Sequence, residues 1–175
     1  MKRERLVFDS IQQIAGETGF SVITLTDEPR QRALAFVCDQ TMTRQFALRM
    51  NKSLNHGAYL PEALVAMLDS RCEMTIYGVN DGQYMVVLMN MSTMKATKIR
   101  MSDACLLTMI SDIPLYIDSD LMEQQCTPFS EDAKGVSIPI NTIDRRRLRD
   151  MLQKAVDEEN YELASIVRDE LKRRQ

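Results

Sequence analysis

The chain changes character near residue 141, and this change limits what it can fold into. Before it, short apolar runs alternate with turn residues. After it, the sequence is highly charged and contains neither Gly nor Pro. Pro128, Gly135 and Pro139 mark the boundary, because these residues interrupt regular structure. We therefore expect a main domain over residues 1–126, a linker over 127–141 and a helical unit over 142–175.

The first 126 residues predict an α/β (α+β) domain with a mixed, largely antiparallel sheet and flanking helices. Its clearest signal is a pair of apolar runs around Asn80-Asp81-Gly82, a turn sequence typical of β-hairpins. Strands are predicted at 20–26, 33–38, 74–79, 83–91, 94–100 and 114–117, and helices at 41–50, 60–69, 102–110 and 118–125. Residues 5–14 fit a helix or a strand equally well by periodicity.

The final segment predicts two amphipathic helices, 144–154 and 160–173, which form a C-terminal α-helical hairpin. The first helix carries one apolar stripe at helical spacing, made of Leu148, Met151, Leu152 and Ala155. The second helix can cover this stripe only in part, and the linker suggests no fixed position for the hairpin on the main domain. We expect a second copy or another protein to cover the rest. The candidate partner-contacting residues are Leu148, Leu152, Tyr161 and Arg168.

This segment resembles the UvrB/UvrC motif. The resemblance rests on residues 148–171, above all on the aromatic-Glu-x-Ala-x-x-x-Arg-Asp pattern from Tyr161 to Asp169. It implies an antiparallel hairpin that mediates protein–protein contacts, including homodimerisation, and has no catalysis of its own. Periodicity and charge alone would equally fit a generic charged hairpin.

A second resemblance spans roughly residues 6–123. The stretch Ile99-Arg100-Met101-Ser102-Asp103-Ala104, followed by a helix and by Ile113-Pro114-Leu115-Tyr116-Ile117, is similar to an element of the bifunctional nuclease family. The Asp81-Gly82-x-Tyr84 turn and the Arg32-x-Leu34 strand also fit that family. The resemblance implies a compact, self-associating bacterial domain that cleaves both DNA and RNA. In that family such a domain also occurs with a UvrB/UvrC motif behind it.

The chain departs from this family at residues 58–64, where Ala-Tyr-Leu-Pro-Glu-Ala-Leu replaces Arg-Pro-Leu-Thr-His-Asp-Leu. The Arg, His and Asp of that element are absent. Asp39, Met42 and Lys98 also stand where the family has Gly, Glu and Asp. Two functions therefore stay open. One is a metal-assisted nuclease acting on DNA and RNA, and the other is a non-catalytic binding and assembly module that docks partners through its hairpin.

The candidate catalytic residues are Arg100, Ser102 and Asp103. Phosphodiester hydrolysis usually needs a divalent ion held by carboxylates. A nuclease is thus expected to bind Mg²⁺ or Mn²⁺, whereas a binding module needs no cofactor. The candidate metal ligands are Asp103, Asp39, Asp81 and Glu62, if the fold brings them together. Ser102 and Arg100 can hold a phosphate at a helix N-terminus.

Structural roles explain the same residues. Ser102 is a good N-cap, and Asp103 places a negative charge in the first turn of a helix. Asp81-Gly82 is explained by the positive φ angles of a tight turn. His56, the only histidine, is expected in a loop and not as a base or a ligand.

Charge and apolar runs bear on the partners and the compartment. From Ile143 onward there are nine Lys/Arg and eight Asp/Glu, which leaves 13 of 22 basic and 17 of 25 acidic residues for the main domain. An acidic surplus disfavours strong nonspecific nucleic-acid binding, although DNA or RNA can still bind to a local basic patch.

The apolar run Leu6–Phe8 is too short for a signal peptide or a membrane span. We expect a cytoplasmic homo-oligomer with reduced cysteines.

Overall fold

The computed structural model describes residues 2–14, 19–51, 59–68, 71–131 and 137–174. The strands in these ranges are β1 (Arg3–Gln13), β2 (Phe20–Asp27), β3 (Arg32–Asp39), β4 (Cys72–Asn80), β5 (Gln83–Asn90), β6 (Lys95–Ile99), β7 (Leu115–Asp118) and β8 (Thr127–Pro128). The helices are α1 (Gln40–Met50), α2 (Leu60–Met67), α3 (Met101–Ile110), α4 (Ser119–Gln125), α5 (Arg145–Asp157) and α6 (Tyr161–Arg173), with a 3₁₀ turn at Ile140–Thr142. None of the described helices is long and apolar enough to cross a membrane.

The eight strands form one sheet in the order β6-β5-β4-β7-β1-β2-β3-β8. Neighbouring strands are antiparallel except for β4 and β7, which are parallel. The predicted mixed, largely antiparallel sheet with flanking helices is therefore confirmed. Residues 5–14, ambiguous by periodicity, belong to β1 because they pair with β2 on one side and with β7 on the other.

The sheet is strongly curved. The rings of Phe36 on β3 and Tyr84 on β5 meet edge to face, with centroids 6.3 Å apart. Four strands separate β3 from β5 in the sheet, so a flat sheet would hold them roughly 24 Å apart. The helices α1 and α3 contribute Phe46 and Cys105 to the core, and both side chains are fully buried. The curvature brings the end of β3, the start of β5 and the beginning of α3 to one place.

Two local expectations are wrong. Ser102 is not the N-cap of α3, because the helix begins at Met101 and the N-cap residue is Arg100, whose side chain makes no capping hydrogen bond. In addition, Thr127 and Pro128 do not belong to a linker but form β8, which pairs with Ala33 and Arg32. A proline is tolerated there because β8 is an edge strand, which leaves one side of its backbone without a neighbouring strand.

The C-terminal helices pack against each other and have a small core of their own. Leu148 and Ala155 of α5 and Ala164 and Val167 of α6 are buried, yet none of them belongs to the buried cluster of the main domain. Asp144 caps α5 by accepting a hydrogen bond from the Arg147 backbone N–H at 3.0 Å. The predicted helical hairpin is thus present.

The hairpin does have a position on the main domain, contrary to the expectation from the linker. Arg145 Nε donates to Asp81 Oδ1 at 2.7 Å in the turn between β4 and β5. The adjoining Gly82 lies so close to the segment before α5 that a Cβ atom would be 2.6 Å from the Ile143 carbonyl oxygen. Arg147 Cζ lies 3.7 Å from the ring centroid of Phe20 on β2. These contacts join residues distant in sequence, and local patterns do not reveal them.

Candidate functional site

A cleft of about 520 Å³ lies where the end of β3, the start of β5 and the beginning of α3 meet. Its polar lining comes from Asp39, Gln83, Tyr84, Lys98, Arg100, Ser102 and Thr142. Three residues predicted from the sequence, Asp39, Arg100 and Ser102, therefore line the same cleft. Thr142, from the segment leading into the hairpin, lines it as well.

Arg100 and Asp103 form a two-pronged ion pair at the start of α3. Arg100 Nε donates to Asp103 Oδ2 at 2.8 Å, and the Arg100 NH2 group donates to Asp103 Oδ1 at 3.0 Å. These hydrogen bonds raise the pKa of Arg100 above its ordinary value, and the nearby Asp39 adds to the effect. The guanidinium thus stays charged, and both oxygens of Asp103 already accept a hydrogen bond.

The remaining polar groups of the cleft are the Lys98 ammonium, the hydroxyl and amide groups of Tyr84, Ser102, Thr142 and Gln83, which can donate or accept, and the Asp39 carboxylate. The beginning of α3 lacks a side-chain cap, so its first backbone N–H groups and the positive end of the helix dipole favour an anion. The Tyr84 hydroxyl is buried without a hydrogen-bond partner among the described residues, and burial raises the pKa of Tyr84. Of the described residues that line the cleft, Asp39 is the one carboxylate, and its Oδ1 accepts from the Met42 backbone N–H at 2.9 Å as the cap of α1. The start of α3 therefore favours an anion over a cation.

The four candidate metal ligands are not gathered into one site. Asp103 pairs with Arg100, Asp39 caps α1, Asp81 pairs with Arg145, and Glu62 accepts from Arg49 Nε at 2.6 Å. Within the described ranges, no three His, Cys, Asp or Glu side chains come together in a way that could hold a metal ion. His56 lies outside the described residues.

A second crevice, of about 440 Å³, lies between the hairpin, the β4–β5 turn and α4. Beside it Arg174 Nε donates to Glu170 Oε1 at 2.6 Å, and both side chains are more than 90% buried. Arg174 also donates to the Ile143 carbonyl oxygen at 2.7 Å, which ties the end of α6 to the start of the hairpin. The sequence shows only a run of charges there, and nothing in it marks this pair as buried.

The structure divides the four predicted partner-contacting residues into two groups. Leu148 is fully buried inside the hairpin and Leu152 is half-buried, so the apolar stripe of α5 is largely used within the chain. Tyr161 is 68% exposed, and the Arg168 side chain is also exposed beside Asp169. Two further apolar residues, Val156 and Ile166, are about half exposed and were not predicted.

Residues 145–175 match the family model described as UvrB/uvrC motif. The helices α5 and α6 carry a UvrB/uvrC motif. This confirms the first resemblance, and the matched residues include Arg145 at the contact with Asp81 as well as Glu170 and Arg174. No curated protein matches the chain. The similarity of residues 6–123 to the bifunctional nuclease family gains no support from these comparisons and stays a prediction.

Proposed function

We propose that this protein is a non-catalytic binding and assembly module that docks a protein partner through its UvrB/uvrC hairpin. The observation that carries the proposal is the exposure of Tyr161, Ile166 and Val156 on the helical pair that matches the motif. An exposed tyrosine offers a rigid apolar body and a polar tip, which suits the centre of a protein interface. These three side chains are named the exposed hairpin residues below.

The interior of the hairpin is fully packed, so we expect a partner to bind its outer surface without separating the two helices. Leu148 and Val167 are completely buried between the two helices and the segment before them. A partner that had to reach them would first have to separate α5 from α6. Contact with the exposed hairpin residues needs no such rearrangement, and Arg168 and Asp169 beside them can set the orientation of the partner by charge.

The geometry of the main domain also supports a binding role. Each candidate metal-binding carboxylate already has a structural function, as a helix cap or in an ion pair, and the four lie on different elements. The Arg, His and Asp of the nuclease family's Arg-Pro-Leu-Thr-His-Asp-Leu element have no counterparts in residues 58–64. A hydrolase built from these residues would have to break several of the pairs described above.

The proposal is tested by affinity capture with full-length protein and three variants. Tyr161→Asp and Ile166→Asp change the exposed hairpin residues, and Met94→Asp changes an equally exposed residue in the β5–β6 turn. We expect a partner to be retained by the wild type and the control but lost by at least one of the two hairpin variants, because Tyr161 and Ile166 lie about 140° apart around α6. Binding of that purified partner should weaken at least tenfold, or by about 1.4 kcal/mol, in calorimetry. If no captured protein depends on Tyr161 or Ile166, the proposal fails.

A second candidate function, metal-assisted hydrolysis of DNA and RNA, is favoured by the cleft that collects Asp39, Arg100 and Ser102. Arg100, Ser102 and the N-terminus of α3 would hold a phosphate there. Asp39 would hold Mg²⁺ or Mn²⁺, together with Asp103 once it is released from Arg100. Asp81 pairs with Arg145 and Glu62 with Arg49, so either carboxylate would first have to leave its partner to join this set.

Labelled single- and double-stranded DNA and RNA, incubated with Mg²⁺, Mn²⁺ or EDTA, test this candidate. If it is correct, Asp103→Asn lowers turnover by orders of magnitude and leaves the melting temperature nearly unchanged. The reason is that an exposed ion pair contributes at most about 1 kcal/mol to stability. If Asp103→Asn retains full activity, Asp103 is not a catalytic residue. If the wild type shows no metal-dependent cleavage, this candidate function is rejected.

A further inference from the structure

Helix α2 is almost entirely apolar, yet none of its eight residues is buried. Leu60, Leu64 and Met67 are 73%, 50% and 85% exposed. A helix at a protein surface normally turns its apolar side towards the core and its polar side towards water. In α2 the apolar side faces outward, and this orientation needs an explanation.

The exposed residues form one stripe. Positions 60, 64 and 67 have the spacing i, i+4, i+7, which places them on one side of a helix. Tyr59, which precedes the helix, and Met50, at the end of α1, are also partly exposed. Arg49 connects the two helices, because its Cζ lies 5.3 Å from the centroid of the Tyr59 ring and its guanidinium pairs with Glu62. We call the three residues Leu60, Leu64 and Met67 the α2 stripe.

We propose that the α2 stripe is a homodimer interface, in which it packs against the same stripe of a second copy. The first argument is charge. Glu62 is the one charged residue of α2, and Arg49 of the same chain accompanies it through hydrogen bonds of 2.6 and 2.8 Å. The Arg49 side chain is itself 6% exposed. Among the described residues of α2, the stripe therefore requires no opposite charge from its partner, and an identical apolar stripe fits it.

The second argument is area. The α2 stripe together with the adjoining Tyr59 exposes on the order of 500 Å² of largely apolar surface, which is at the upper end of patches on monomeric proteins. Two such faces would bury on the order of 1,000 Å² in total, close to the lower bound for a specific interface. We therefore expect a dimer that dissociates on dilution.

The third argument is symmetry. Two identical helices related by a twofold axis cross at the middle of their shared stripe, and the middle of the α2 stripe is Leu64. Leu64 of one copy would then lie against Leu64 of the other, flanked by Leu60 and Met67. This interface is separate from the hairpin, so it does not depend on the function proposed above.

Sedimentation equilibrium of the full-length protein over a range of concentrations tests the inference. We expect the wild type to be a dimer at high concentration and Met67→Glu to weaken the dimer at least tenfold. Met94→Glu is the matched control, since it adds the same charge at a similarly exposed methionine and should leave the dimer intact. Circular dichroism of each variant verifies that it is folded.

Charge pairing distinguishes a second copy from any other occupant. Leu64→Glu and Leu64→Lys should each be monomeric, and a mixture of the two should restore dimers if the stripes face each other. A wild type that is monomeric at all concentrations overturns the proposal, as does a dimer that survives Met67→Glu. A dimer lost only in Tyr161→Asp would place self-association on the hairpin and would overturn it as well.

Discussion

Arg145 Nε and Asp81 Oδ1 are 2.7 Å apart, and this hydrogen-bonded ion pair joins the first helix of the hairpin to the turn between β4 and β5. Asp81 and Gly82 have φ angles of 47° and 81°, which reverse the chain and direct the turn at the hairpin. Gly82 also leaves the space that the Ile143 carbonyl occupies. The sequence Asp81-Gly82 thus serves both the β-hairpin and the docking of the C-terminal helices.

Removing this ion pair should loosen the hairpin without unfolding the protein. Asp81→Asn keeps a residue that tolerates positive φ but removes the charge. Asp81 and Arg145 are about half exposed, so their pair contributes at most about 1 kcal/mol, and Asp81→Asn also removes the 4.0 Å pairing of Asp81 with the buried Arg174. We expect the melting temperature to stay the same within a few degrees and the amides in the first turns of α5 to exchange up to about fivefold faster.

Hydrogen exchange of the α5 amides measures the loosening of the hairpin. Lys154→Gln is the control, because it breaks only an exposed pair within the hairpin. Unchanged exchange in Asp81→Asn would contradict the docking role.

The parts of the fold that depend on neighbouring residues could be predicted from the sequence. Asn80-Asp81-Gly82 specifies a hairpin turn by its conformational preferences, and the spacing of Leu148, Leu152 and Ala155 specifies an amphipathic helix. β1 could not be assigned, because its pairing with β2 and β7 decides its conformation. β8 was missed because it has only two residues, one of them a proline.

The candidate site could be predicted only in part, for a related reason. Arg100 and Ser102 are close in sequence, whereas Asp39 and Tyr84 join them through the curvature of the whole sheet. The ion pair of Glu170 and Arg174 stands within a run of charged residues, and only the packing of the hairpin shows that it is buried. Sequence patterns indicate which residues carry chemistry, but long-range packing decides which of them meet.

The end of α5 offers a substitution that should stabilise the hairpin. Glu159 has a φ of 57°, and the Asn160 N–H bonds to the Ala155 carbonyl oxygen while the Glu159 N–H bonds to that of Val156. This is the helix ending in which glycine is most favoured. Glu159→Gly should therefore increase the stability of the hairpin by about 0.5–1 kcal/mol, measured by hydrogen exchange of α5 and α6.

The neighbouring residue provides the control for this prediction. Glu158 has a φ of −87°, a conformation that any residue adopts. Glu158→Gly gains nothing from relief of strain, adds flexibility to the unfolded chain and removes the exposed pair with Lys154, so it should destabilise the hairpin slightly. Equal effects of the two substitutions would show that the conformation of Glu159 is not strained.

Glu170 should make the hairpin sensitive to acid. Hydrogen bonds from Arg173 and Arg174 hold the pKa of Glu170 below its ordinary value, although burial acts in the opposite direction. A carboxyl group with a lowered pKa stabilises the folded state above its ordinary pKa, and this contribution is lost as the pH falls through the lowered value. We expect the protection of the hairpin amides to decrease in that acidic range.

Glu170→Gln should remove this part of the pH dependence, whereas a substitution of the exposed Glu123 should not. Identical pH profiles for wild type and Glu170→Gln would contradict the assignment.

Removal of residues 142–175 should leave a folded, soluble main domain. The buried residues of the hairpin do not belong to the core of the main domain, so the deletion opens no cavity in that core. The deletion removes the Arg145–Asp81 ion pair, the packing of Arg147 over Phe20 and the close approach at Gly82. The ion pair and the packing over Phe20 contribute together about 1–2 kcal/mol, which corresponds to a decrease in melting temperature of roughly 3–8 °C.

Circular dichroism on heating measures the stability of the truncated protein, and light scattering at several concentrations measures its association. A single cooperative transition is expected to persist. Because the α2 stripe lies outside the deleted segment, concentration-dependent dimers should persist too, while capture of a partner by the exposed hairpin residues should disappear. If the truncated protein has no cooperative transition, the hairpin is part of the folding unit, because loss of the ion pair and of the packing over Phe20 alone would lower the melting temperature by only a few degrees.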